Sequence, residues 1–227
     1  MKGIVLLSAV PMRKEASDRA EMVNQILYGE TFEILQQEEK WSKIKLHHDN
    51  YEGWIDNKQW KPTKQKSIYK HFVHTLFLKK SNIIFPLGAL VDFQLSKNKK
   101  SLLQTARLFL NTPYLWGGRT FSGIDCSGFM QVIFRTQHIA LKRDAYQQQQ
   151  QGKRISFQLC ATNDLAFFHN KEGKVMHVGL IIREKNKVQI IHASGFVRID
   201  DLDETGIYNK ETKTYTHQLH SIKRIIK

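Results

Sequence analysis

Cys126, His177 and His192 are the residues whose types and spacing suit nucleophilic catalysis. A cysteine attacks a carbonyl carbon as thiolate, yet a free thiol is mostly protonated at neutral pH, so it needs a base or a favourable field. The stretch IDCSGFMQVIF places Cys126 directly after an aspartate, where a helix is expected to begin. A helix N-terminus favours an anion, and its unpaired N–H groups could also hold the oxyanion formed at an attacked carbonyl. Ser122 and Asp125 both suit an N-cap, and Ser122-x-x-Asp125 resembles a capping box. If Asp125 caps, Cys126 is the first helical residue.

A hairpin is expected to supply the base. HVGLIIREKNKVQIIHASG reads as two strands joined around residues 184–187. A loop with an even number of residues centred on Lys185 and Asn186 places His177 opposite Ser194, with His192 a diagonal neighbour on the same face. One imidazole could then accept the thiol proton while the other orients it. An odd loop or a bulge would send the rings to opposite faces. A zinc site from Cys126, Cys160, His177 and His192 lacks a close C-x-x-C pair, so neither metal nor cofactor is expected. Cys160 reads as a buried thiol.

These residues need a scaffold. SLLQTARLFLNTP has helical spacing, with Ser101 as N-cap and Pro113 past the end. A glycine-rich loop, YLWGGRTFSGID, leads into the cysteine helix, and Gly117, Gly118, Gly123 and Gly128 leave room for close approach. After Gln147 to Gln151, read as the exposed end of a helix, come the strands DLAFF, HVGLIIR, KVQIIHAS and HSIKRIIK. Helices followed by an antiparallel sheet give an α+β domain over 101–227. Residues 1–60 carry short strands with closely spaced turns, the pattern of a small β-barrel. The polar stretch 61–66 reads as a linker, 67–96 as a second, degenerate β-module, and KNKK at 97–100 as a boundary.

Composition narrows the partners. The net charge is +14, but the lysines are scattered and no nucleic-acid motif accompanies them, so the charge reads as a solubilising surface. No apolar run approaches the roughly 18 residues of a membrane span. Two cysteines indicate no disulfide framework and fit a reduced compartment. The N-terminus, MKGIVLLSAVPMR, reads as a first strand without a cleavage site, so a cytoplasmic place is expected, or a periplasmic or secreted one if a leader has been removed. A monomer is expected, with no nucleic acid and no membrane among its partners.

Taken together, PYLWGGRTFSGIDCSGFMQVIF, HVGLII and IIHASG resemble the NlpC/P60 cysteine peptidases, which cut cell-wall peptides. VPMRKEASDRAEMVNQILYGETFEIL, with WSKIKL and YEGWID, resembles bacterial SH3 modules. The fold this implies is multidomain: SH3-like β-barrel modules followed by a papain-like α+β domain. By the resemblance Cys126 is the nucleophile, His177 the base and His192 the residue that orients it. The interval from His177 to His192 is longer than the family's, which the charged turn REKNK accommodates. Tyr114 assists the oxyanion, and Trp116, Asp125 and Ser127 line the cleft, Asp125 as a helix cap rather than a catalytic acid. Two-module relatives close one end of the cleft with the first module and clamp the free amine of L-alanine, here by Glu21, Tyr51 and Asp144. The implied substrates are peptidoglycan stem peptides that begin with L-Ala, cut between γ-D-Glu and meso-diaminopimelate or L-Lys during murein recycling. An amidase or acyltransferase on the same scaffold, or a wall-binding protein without activity, would share these motifs.

Overall fold

The computed structural model describes residues 1–64, 69–95, 100–185 and 187–226. Seven antiparallel strands open the chain: β1 (Lys2–Ile4), β2 (Ala9–Arg13), β3 (Met22–Leu27), β4 (Thr31–Gln37), β5 (Trp41–Leu46), β6 (Glu52–Asp56) and β7 (Lys61–Thr63). They lie in the order β3-β2-β6-β5-β4-β1-β7. Alternation along β2 and β5 sends Val10, Met12, Ile44 and Leu46 inward, where they bury with Phe32, Ile55 and Trp60. The expected linker is partly wrong: Lys61–Thr63 pairs with β1. Pro62 is tolerated there because β7 is an edge strand with a free side.

Two short ribbons follow, β8 (His71–Phe72) with β11 (Leu90–Val91) and β9 (Phe77–Lys80) with β10 (Ile83–Pro86). Their small core of Val73, Phe85, Ala89 and Val91 is completed by Tyr28 from the turn after β3, whose ring meets Phe85 edge-on at 4.6 Å. The ends of the second module expected over 67–96, and most of the KNKK boundary, lie outside the described residues.

Helix α1 (Leu102–Arg107) starts with a full capping box between Ser101 and Gln104. It stops earlier than the apolar spacing predicts, because Leu108 and Phe109 N–H turn to carbonyls three residues back. A small hairpin, β12 (Arg119–Thr120) with β13 (Gly123–Ile124), leads to α2 (Cys126–Arg135), and α3 (Ala145–Gln148) follows. All ten residues of α2 are buried. Its apolar residues pack on α1 and the C-terminal sheet, while Gln131 and Arg135 reach across to Asp49 and Glu30 of the N-terminal domain.

The second sheet comprises β14 (Lys153–Ile155), β15 (Leu165–His169), β16 (Val175–Glu184), β17 (Lys187–Ser194), β18 (Phe196–Leu202), β19 (Gly206–Asn209) and β20 (Thr214–Arg224). Pairing of β19 with β20 closes it on itself, with β14 outside on β20. One face, with Leu165, Phe167, Val178, Leu180 and Ile191, packs on the helices. The other encloses Phe168, Ile181, Ile190, Leu202 and Cys160. Among the described residues no helix is long and apolar enough to cross a membrane.

The glutamine run does end a helix, α3, and Gln150 is exposed, but the run is not exposed throughout. Gln148 is buried and donates to the carbonyls of Ser127 and Lys142, tying α3 to the start of α2.

Candidate active site

Asp125 is the N-cap of α2. Its Oδ1 accepts from the Gly128 N–H at 2.6 Å and its Oδ2 from the Gly117 N–H at 2.9 Å. Ser122 takes no part in this cap. The carboxylate is also forked by Arg143, at 3.1 Å to Oδ1 and 2.5 Å to Oδ2, and Arg143 binds the Ser127 hydroxyl as well. Asp125 and Ser127 therefore line the cleft with their polar atoms already engaged. Gly117 sits at φ +77°, and a Cβ there would come within 2.5 Å of the Met22 carbonyl oxygen on β3. Only glycine lets the loop before Cys126 press against the N-terminal domain.

The Cys126 sulfur is bracketed by the peptide groups on either side of His177. It lies 3.9 Å from the Met176 carbonyl oxygen, and the Val178 N–H is directed at it from the other side. Burial, reinforced by the charge of Asp125, pushes the thiol up to about 12, against the pull of Arg143 and the Val178 and Ser127 N–H groups. The residue at rest is a thiol hydrogen-bonded to a carbonyl, not a thiolate paired with imidazolium. Proton transfer to His177 requires the S–H to turn from that carbonyl to the ring. Alkylation of Cys126 by iodoacetamide should then be slower than that of a free thiol at pH 7.5 and rise about tenfold per pH unit to at least pH 9. A rate that levels off near neutral pH would show a preformed ion pair instead.

The hairpin has the parity that joins the histidines. Gly179 pairs with His192 and Glu184 with Lys187, so His177 and His192 share a face; Asn186, in the turn itself, lies outside the described residues. His177 Nε2 is 2.8 Å from His192 Nδ1, with the rings at 82°. His192 Nε2 is in turn 2.9 Å from Asp200 Oδ2, and Arg198 grips both oxygens of Asp200. His217 of β20 stacks on His177 at 4.2 Å between centroids. Burial, with the neighbouring rings, holds His177 well below the usual histidine range, and burial outweighs Asp200 in lowering His192. Both rings are neutral at neutral pH.

A cleft of about 480 Å³ opens between the two domains, with Cys126 in its wall. Glu21 and Tyr51 face into it from the N-terminal domain, and Tyr114, Trp116, Asp125, Ser127 and Asp144 from the C-terminal one. The Tyr51 hydroxyl bonds Asp144, whose carboxyl is raised by burial and by the nearby Asp125. Glu21 accepts from Trp116 Nε1 at 2.7 Å and lies 3.5 Å from Lys14. Beyond Tyr114 and Met176 a second cavity, about 350 Å³, is lined by His177, His217, Asn170 and Ser194. Cys160 is remote, in the core of the closed sheet with Arg183 on its sulfur. Among the described residues no group of three or more His, Cys, Asp or Glu is arranged to hold a metal ion.

Sequence reasoning missed Asp200, Arg198, His217 and Arg143. The signal for the first two was present: a hairpin around Gly195 pairs His192 with Arg198 and puts Asp200 diagonally beside it, by the same parity that joins the histidines. His217 comes from a strand whose register shifts at a bulge, which no periodicity reveals.

Residues 111–216 match the NlpC/P60 family, and residues 12–59 match the bacterial dipeptidyl-peptidase SH3 domain. The γ-D-glutamyl-L-lysine dipeptidyl-peptidase of Bacillus subtilis is 39% identical over 114 residues, 49% of this chain and 38% of that protein. Its Bacillus cereus counterpart is 34% identical over 46% of this chain and 32% of its own. The matched stretches are thus less than half of those relatives' lengths. Dipeptidyl-peptidase 6 of Lysinibacillus sphaericus aligns with 94% of this chain and 97% of its own, at 24% identity. The crystal structure of an NlpC/P60 family protein from Bacillus cereus superposes over 99% of both chains with a TM-score of 0.77 at 18% identity, a likeness of fold.

Proposed function

We propose that this chain, a bacterial SH3 domain joined to an NlpC/P60 domain, is a cysteine peptidase that cuts peptidoglycan stem peptides between γ-D-Glu and the following diamino acid, with a free L-Ala at the N-terminus. The observation that carries this reading is the cleft itself. Its catalytic wall has Cys126 at a helix N-terminus, and its opposite wall is SH3 domain carrying Glu21 and Tyr51, with Asp144 bonded to Tyr51. An ammonium fits between such carboxylates, whereas a capped amine brings no positive charge to them and adds an acyl group in the same space. The names of the relatives from two Bacillus species agree with that substrate.

His177 takes the thiol proton as the sulfur attacks the γ-carbonyl carbon. The oxyanion sits against the N–H groups that open α2, with the Tyr114 hydroxyl on the cleft wall. On collapse the C–N bond breaks, and His177 as imidazolium gives its proton to the leaving amine. His177 lines the cavity beyond Tyr114, so the amine half departs to that side. Water then attacks the thioester, passing a proton to His177, and frees L-Ala-D-Glu and the thiol.

The amine clamp is tested with L-Ala-γ-D-Glu-diaminopimelate in free and N-acetylated forms. The free peptide should be cleaved and the acetylated one lose about tenfold or more in kcat/KM, the scale of a lost charge-assisted hydrogen bond. Equal cleavage of the two would remove the roles given to Glu21, Tyr51 and Asp144.

A further inference from the structure

The hydrogen bonds behind the catalytic thiol form a chain in which each donor can be assigned. We infer that Asp200, gripped by Arg198, is a positioning residue that sets the tautomers of both histidines and leaves Nδ1 of His177 as that ring's unprotonated nitrogen. The chain begins at Arg198. A guanidinium only donates, and it contacts both oxygens of Asp200, Nε to Oδ2 at 2.8 Å and Nη2 to Oδ1 at 3.0 Å. Asp200 is therefore a carboxylate, and a carboxylate only accepts.

His192 Nε2, 2.9 Å from Oδ2, must then carry the hydrogen. His192 is almost wholly buried and neutral, so its other nitrogen, Nδ1, bears a lone pair. That lone pair is 2.8 Å from His177 Nε2, which must donate to it. His177 is neutral too, so its remaining nitrogen, Nδ1, has no hydrogen. This is the nitrogen free to accept the thiol proton. His217 reinforces the arrangement from another direction. It covers a face of the His177 ring, with 27° between the planes, and leaves the edges to hydrogen-bond. Without the carboxylate His192 could turn its hydrogen to Nδ1, and His177 would then have to accept at Nε2 and protonate Nδ1, which disables it as the base. A carboxylate that fixes a catalytic imidazole in one tautomer is worth up to about 10⁴ in kcat where it acts on the base directly. Here it acts through a second ring.

The catalytic consequence rests on the peptidase reading, but the tautomers do not. Long-range ¹H–¹⁵N correlation spectra of histidine-labelled protein at pH 7.5, without substrate, should show hydrogen on Nε2 and none on Nδ1 in both His177 and His192. Hydrogen on Nδ1 of either ring overturns the inference. Asp200→Ala should shift His192 or His177 away from that form and lower kcat on the free tripeptide by about 10²-fold, with KM changed less than about threefold. Unchanged tautomers or unchanged kcat in a folded Asp200→Ala protein would overturn the inference and leave Asp200 as a structural ion pair with Arg198. If Asp200→Ala does not fold, Arg198→Lys, which cannot fork onto both oxygens, serves in its place and should give the same direction of change; unchanged tautomers and kcat there also overturn the inference. A wild-type protein that shows the expected tautomers yet leaves the tripeptide intact refutes the proposed substrate and not the relay.

Discussion

Cys126→Ala should lower turnover of the free tripeptide by about 10⁴-fold or more, while the melting temperature and circular dichroism stay close to wild type. The step lost is formation of the thioester, for which no other group at the site can substitute: Ser127 has its hydroxyl on Arg143 and Asp125, and Cys160 lies in another core. The fold should tolerate the change because only the sulfur is removed, and the Asp125 cap holds the start of α2 through its own carboxylate. Cys160→Ala provides the contrast, with turnover within about twofold of wild type and the cost, of order 1 kcal/mol, appearing in stability. Steady-state rates and thermal melts of the two variants check both statements. A Cys126→Ala protein that keeps its rate would remove the nucleophile from the scheme.

Glu30→Gln should be the most damaging change away from the thiol. Glu30 is fully buried in the N-terminal domain, yet the two guanidinium groups that pair with it belong to the other one. Arg119 forks onto it at 3.0 and 2.9 Å, Arg135 binds the same carboxylate, and the Leu27 N–H also donates to it. Arg119 is itself wholly buried. Neutralising the glutamate leaves two guanidinium groups facing an amide, and breaking such a buried pair costs about 3–5 kcal/mol. For a chain of this size that is a fall of about 6–20 °C in melting temperature. Because this network seats the SH3 wall of the cleft, KM for the free peptide should also rise.

Acid should act in the same direction as this substitution. Burial alone would raise the Glu30 carboxyl, but Arg119 and Arg135 reverse that and hold it well below the ordinary value of 4.5. Asp49, beside His48 and Gln131, is held at about 2. Both folded values lie below the unfolded ones, so their stabilisation is complete above the ordinary carboxyl range and is lost progressively as pH falls through and below it. Wild type should therefore lose more stability between pH 6 and 3 than Glu30→Gln does, a difference that thermal melts across that range measure.

Local signals made much of the molecule legible. The capped helix starts at Ser101 and Asp125, the strands of the SH3 domain and the hairpin parity follow from residues near one another in the chain. What stayed hidden depends on contacts between distant segments. Gln131 and Arg135 are buried because the SH3 domain covers their face of α2, which no residue near them in the chain reveals. Gln148 read as exposed for the same reason, since only the folded chain brings it under the first turn of α2. Asp125 reads in the sequence as a helix cap rather than a catalytic acid, and it caps α2 with its charge taken up by Arg143, a partner no local pattern announces.

The central claim is that Cys126 cleaves the γ-glutamyl bond of a stem peptide whose amine is free. Incubation of the reduced protein with L-Ala-γ-D-Glu-diaminopimelate, followed by mass spectrometry, tests it most directly. The expected result is release of L-Ala-D-Glu and free diaminopimelate by wild type and by no preparation of Cys126→Ala. An intact tripeptide after prolonged incubation with reduced wild-type protein, or cleavage at the L-Ala–D-Glu bond instead, would contradict it.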